Sequence, residues 1–152
     1  MKIKLAIQNA SASSQVPAKA DVKHWAAAAL EGRRKLARLS LRILDEAESA
    51  ELNGRYRGKA GPTNVLSFPF EAPPGLPNPL SLIGDLAICA PVVEREALEQ
   101  GKSLEAHWAH MVVHGILHLL GHDHLVEAEA LEMEALETRI LENLGFPAPY
   151  EA

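Results

Sequence analysis

His114 and His118 stand four residues apart in the run HGILHLLGHDH. On a helix that spacing puts both imidazoles on one face, within reach of a single ion. Gly121 breaks the helix, and a reversal of the chain beyond it can bring His122 or His124 back to the same point; spacing alone does not choose between them. Three imidazoles with an open fourth position are the coordination of a catalytic rather than a structural zinc. His110 extends the same ladder, but a helical rise of about 1.5 Å per residue sets it roughly 12 Å from His118. Zn–N distances of about 2.0–2.1 Å cannot bridge that gap. His110 and His107 are therefore expected to be hydrogen-bonded core histidines or wet rim residues, and His24 has no partner in the sequence.

The segment fits the metal-protease pattern H-E-x-x-H-x-x-G-x-x-H at every position except one, where Gly115 replaces the Glu. That Glu is the base that takes a proton from the metal's water in peptide hydrolysis. The chain thus keeps the metal cradle and lacks the protease base. It needs another proton acceptor, or a substrate for which the metal and a cationic clamp suffice.

The elements that must position these groups are legible in the periodicity. KIKLAIQNAS alternates as a half-buried strand, and residues 39–45 alternate as a second. Between them a helix starts at Asp21 as cap and closes at Gly32. A short helix is expected over 46–52, stopped by Asn53 and Gly54. TNVLSFPF and SLIGDLAICA read as two more strands. The segment 71–80 between them carries Pro73, Pro74, Pro77 and Pro79 and must be a surface loop. A helix follows Pro91 and ends at Gly101, a second runs from the Ser103 cap to Gly121, and an acidic one spans 126–144. The order predicts an α+β fold with a mixed four-stranded sheet, covered mainly on one face by helices. The helix around Val112 and Val113 is apolar nearly all round, so it should be the central buried helix that carries the metal-binding histidines.

At 152 residues and 47% hydrophobic content, residues 1–152 suit a single domain. The single Cys89 cannot form an internal disulfide and is expected to be a small core residue in a reducing compartment. No apolar run approaches a signal or membrane segment, so no membrane partner and a cytoplasmic location are expected. The net charge of −5 hides a split. Residues 1–102 hold 14 basic against 11 acidic side chains, whereas residues 103–152 hold Arg139 against nine acids. The basic residues gather at Arg33, Arg34, Lys35, Arg38 and Arg42, and again at Arg55, Arg57 and Lys59. A solvated face is the ordinary reading of such groups, and a local surface for phosphates the functional one.

Beyond single motifs, LNGRYRGKAGPTNVLSFPFE, IGDLAIC and HGILHLLGHDH resemble, in order, the blocks of the YbeY endoribonucleases, bacterial metalloproteins of ribosomal RNA maturation. The resemblance covers essentially the whole chain. It implies His114, His118 and His124 as ligands of one Zn²⁺ per chain, with His124 preferred over His122. It places the family's arginine at Arg57. The activity it implies is metal-dependent cleavage of single-stranded RNA in rRNA processing, notably at the 16S rRNA 3′ end, and in ribosome quality control, with the ribosome or ribosomal proteins as partners.

Zinc bound by histidines lowers the pKa of its water to about 7 and polarises a phosphoryl oxygen. The planar fork of Arg57 matches two phosphate oxygens, unless it is an ordinary surface cation. Thr63, Asn64 and Ser67 could donate to the RNA backbone or serve turns. Asp123 could orient a ligand histidine or cap a loop. No second carboxylate stands out as a base, which leaves water and the ribose 2′-hydroxyl as alternative nucleophiles. Two other functions fit parts of the sequence: a zincin-like peptidase or amidase with a relocated base, and a non-catalytic, metal-stabilised ribosome-associated binding protein.

Overall fold

In the computed structural model, residues 2–75, 77–78, 81–122 and 126–150 are described. The described elements run β1 (Lys2–Asn9), α1 (Lys19–Leu30), β2 (Leu36–Leu44), α2 (Glu46–Arg57), β3 (Val65–Pro69), β4 (Leu82–Cys89), α3 (Ala90–Gln100), α4 (Leu104–Leu119) and α5 (Glu127–Asn143). The sheet order is β1-β2-β4-β3. The first three strands are parallel, and β3 pairs antiparallel to β4 at the edge.

Alternation along the strands sorts the side chains into two layers. Ile3, Leu5, Leu39, Leu41, Ile43, Val65, Leu86 and Ile88 face the main core with α1 and α4. Leu44, Leu66, Ala87 and Cys89 face the other way and form a smaller cluster with Leu52 of α2 and with Phe68. Cys89 is the fully buried core residue expected. Helix α4 is central: it packs on β3 and β4 and is flanked by α1, α3 and α5. This is the α+β arrangement that the sequence predicts, with most helical cover on one face.

Helix α4 begins as expected, the Ser103 hydroxyl accepting from the Ala106 amide at 3.1 Å. It lies close on the sheet because residue 115 has no side chain. A Cβ there would meet Leu86 Cδ2 at 2.8 Å and Val65 Cγ2 at 3.2 Å. The Ser67 hydroxyl donates to the Gly115 carbonyl at 3.1 Å and ties β3 to the helix. At Gly84, where φ is +141°, a Cβ would fall 2.4 Å from the Phe68 carbonyl oxygen and 2.7 Å from Leu119 Cδ2. Only glycine admits both the neighbouring strand and the end of α4 there.

Three boundaries differ from the sequence expectation. Helix α1 starts at Lys19 with Ala18 as cap, and Asp21 lies in its first turn, where a carboxylate favours the helix dipole without capping. Strand β2 starts at Leu36 because pairing with Lys2 of β1 extends it. Helix α2 does not stop at Asn53 and Gly54 but runs to Arg57. The Asn53 amide is buried and donates to the Gly61 carbonyl at 2.9 Å, so a tertiary bond overrides its helix-breaking tendency. The described residues of the proline-rich segment, 71–75 and 77–78, form a largely exposed connection; Leu76, Pro79 and Leu80 lie outside the described residues.

Candidate metal centre

Four histidines line one side of α4, and each faces a named group. His107 and His110 are buried, whereas the His114 side chain is 23% exposed, so the ladder opens to solvent towards its C-terminal half. His107 Nε2 meets Glu96 of α3 at 2.9 Å. His110 Nε2 meets Glu137 of α5 at 3.2 Å. His114 turns Nδ1 to the same Glu137 and Nε2 towards His118 Nε2, 3.1 Å away. His107 and His110 are thus core histidines whose Nε2 atoms are held by carboxylates rather than backbone, while the buried Nδ1 of each has no partner among the described residues. His24 is exposed on α1.

Glu137 is the hub. Fully buried, it takes His114 on one oxygen and His110 with the Tyr150 hydroxyl on the other. Burial by itself would raise its carboxyl. The hydrogen bonds from His110 and His114, the charge of His114 and the Tyr150 hydroxyl outweigh burial and hold the group at about 2. Burial pushes His110 below its usual value, partly offset by Glu137, and pushes Tyr150 upward together with the same carboxylate. An ionised carboxylate only accepts, so His114 must donate from Nδ1; in the neutral ring that leaves the lone pair on Nε2. That is how carboxylates orient metal-ligating histidines.

Two nitrogens on one tetrahedral zinc at about 2.0–2.1 Å stand about 3.3 Å apart. The Nε2 pair of His114 and His118, at 3.1 Å, fits such an ion with almost no rearrangement. A second set is present: His110, His114 and Glu137 offer ligand atoms within 4.8 Å of one another and could also hold an ion. That set would draw on Glu137 oxygens already engaged by three hydrogen-bonding groups. His124 and Asp123 lie outside the described residues. His122 is described; its amide donates to the Leu117 carbonyl at 3.0 Å in the turn that ends α4.

Other candidates are placed differently from expectation. Arg57 is not in a loop; it is the exposed last residue of α2, where its charge also suits the helix C-terminus. Among the described residues it has no hydrogen bond or ion pair. Thr63 is fixed through its backbone, which exchanges hydrogen bonds with the Ser49 hydroxyl at 2.9 and 3.0 Å. The Asn64 amide donates to Glu96, and the Ser67 hydroxyl is spent on α4. For Asn64 and Ser67 the structural use prevails.

Sequence reading missed Glu137, one of many acids in α5. Its signal was register: it shares the buried stripe with Met133, Ile140 and Leu141. A carboxylate in a core register needs partners, and His110, His114 and Tyr150 supply them.

Comparison with known proteins identifies the family. The profile of the family described as Endoribonuclease YbeY matches residues 6–145. The Endoribonuclease YbeY of Nitrosococcus oceani is 55% identical over 152 residues, covering 100% of this chain and 99% of that protein. The solution structure of TM1509 from Thermotoga maritima superposes with a TM-score of 0.63 at 23% identity, over 96% of this chain and 99% of that one, and so shares the fold.

Proposed function

This chain belongs to the YbeY endoribonuclease family, and on that premise we propose that it cleaves single-stranded RNA with one zinc ion held by His114, His118 and His124. Its setting would be rRNA processing in the cytoplasm, including maturation of the 16S rRNA 3′ end and ribosome quality control. The observation that carries the reading is the facing Nε2 pair of His114 and His118, with His114 fixed by a buried carboxylate.

A zinc ion there supplies Lewis acidity towards a phosphoryl oxygen and lowers the pKa of water to about 7. The chain's own groups do the rest. Glu137 keeps the His114 proton on Nδ1 and the ring in place. Arg57 presents a fork to the non-bridging phosphate oxygens and offsets the charge that grows on them. The direct ligands are three neutral imidazoles, which leave the ion its full positive charge for an anionic phosphodiester; the His110, His114 and Glu137 set would partly neutralise it.

A peptidase needs the carboxylate base that the sequence replaces with Gly115, and position 115 faces the sheet, where an added Cβ would press on Leu86 and Val65 and a carboxylate would point away from the histidines' metal. Ribosomal proteins are the proposed protein partners, since the exposed acids Glu127, Glu129 and Glu132 of α5 complement basic surfaces. No helix among the described residues is long and apolar enough to cross a membrane.

The test is cleavage of single-stranded RNA, duplex RNA and casein by the metal-replete protein, each with and without chelator, beside His114→Ala. The reading requires chelator-sensitive cleavage of the single strand only, absent from His114→Ala, with one zinc per chain that is largely lost in His124→Ala. Chelator-resistant cleavage, or activity retained by His114→Ala, would refute it. So would retention of zinc in His124→Ala with loss in His122→Ala.

A further inference from the structure

The basic cluster between Arg33 and Arg42 disperses in the fold. Arg33 and Arg34 spend donors on backbone carbonyls of their own turn. Arg42 forms a two-pronged pair with Glu48 at 2.6 and 2.8 Å. Arg38 is different: its Nε is buried and has no acceptor among the described residues. It lies beside Lys4 in the pairing of β2 with β1, on the sheet face that α2 leaves bare. Along these two strands runs a groove of about 540 Å³, which Lys19 and Lys23 of α1 also line. Asp85 is the one acid among its lining residues, and it accepts from the Ser40 hydroxyl at 2.5 Å. None of the four cations is ion-paired among the described residues. A chain of net charge −5 thus concentrates four positive charges against one negative in a single groove.

A second hollow, of about 290 Å³, adjoins the groove at Leu82 and is also lined by Arg34, Phe70 and Leu119. Phe70 is 42% exposed, an aromatic face on which a base can stack. Leu119 is the last residue of α4 and adjoins His118.

We propose that this groove is an RNA-binding site separate from the metal centre. Lys4, Lys19, Lys23 and Arg38 hold phosphates of a single strand, which passes Phe70 to reach the end of α4. The inference rests on the endoribonuclease reading. Phosphates suit it because the cations are arrayed along a groove, as a charged backbone requires. The acidic α5 repels RNA on its own side of the molecule and leaves the groove along β1, β2 and α1 as the approach.

The experiment compares the parent, Lys4→Ala/Arg38→Ala, and a charge-matched control, Arg95→Ala/Arg139→Ala, on a labelled single-stranded oligonucleotide. Binding is measured in chelator across a salt series, and cleavage with the metal-replete protein. The groove variant should bind about tenfold or more weakly near physiological salt, and its slope of log K against log salt should shrink by about 1.4, two contacts at about 0.7 each. KM should rise with kcat unchanged, while the control stays within twofold of the parent. Equal losses in groove variant and control, or a groove variant with parental KM and affinity, would overturn the proposal. So would displacement of the RNA by an acidic polypeptide at equal charge concentration, since the groove would then be a protein dock. If the double variant melts early, Lys4→Gln and Lys23→Gln, both at exposed positions, give the same comparison. Failure of the parent to cleave RNA would sink the endoribonuclease reading, while the binding series would still judge the groove.

Discussion

Replacing Glu137 by Gln preserves its size and removes the charge that holds His114 as an Nδ1–H donor. Loss of such an outer carboxylate typically weakens metal binding 10- to 100-fold, and zinc affinity by chelator competition should fall by about that factor. An unchanged affinity would make Glu137 a packing residue alone. Arg57 tests the other half of the site. As an exposed helix-end residue it should cost no more than about 0.5 kcal/mol when changed to Ala, with zinc content intact. Cleavage should fall on the order of 10²-fold, because the proposed transition-state donor is lost. Arg57→Lys should rescue little, since a point charge lacks the fork. Parental cleavage by Arg57→Ala would return the residue to its role at the end of α2. The two residues differed in legibility. Arg57 was visible only through resemblance, whereas Glu137 was visible in principle as a carboxylate in a buried register, concealed by its acidic neighbours.

Helix α4 is where sequence and structure agree best, because local signals determine it: the Ser103 cap, an apolar run and the glycine after its end. Its depth on the sheet is a tertiary matter carried by Gly115. Gly115→Ala gains about 1 kcal/mol of helix propensity. Overpacking against buried Leu86 and Val65 costs about 1–3 kcal/mol, so we expect a net loss of up to about 2 kcal/mol and weaker zinc binding as the helix lifts. A melting temperature above the parent's would show that the core yields freely there. At its N-terminal half α4 is held by Glu96, which joins His107 to Asn64 across α3 and β3. Burial raises this carboxyl, but the bonds from His107 and Asn64 prevail and leave it below its ordinary value of 4.5. A group depressed on folding stabilises above its unfolded pKa and loses that contribution as pH falls through the folded one. The melting advantage of the parent over Glu96→Gln should therefore be full at neutral pH and shrink below about 4.5. An advantage that grew in acid would contradict this assignment. Helix α2 was misjudged for the converse reason: Asn53 and Gly54 signal a stop locally, and only the bond to Gly61, formed in the folded chain, overrides it.

On the scale of the whole molecule, the strands and helices followed from periodicity, but the order β1-β2-β4-β3 did not, because pairing joins segments far apart in the chain. The charge split was visible as composition and became geography only on folding, with the acids of α5 on the helical side and Lys4 and Arg38 on the bare sheet. The smaller core cluster has a practical use. Cys89, the single thiol, closes β4 there with no exposed surface, and burial pushes its thiol upward. An alkylating reagent can reach it only in molecules whose sheet has opened, so the labelling rate read by mass spectrometry is a clock for opening events. Zinc at 100 times its Kd should slow that clock about 100-fold if helices and sheet open as one unit. A clock indifferent to zinc would mean that the sheet can breathe beneath an intact helical layer.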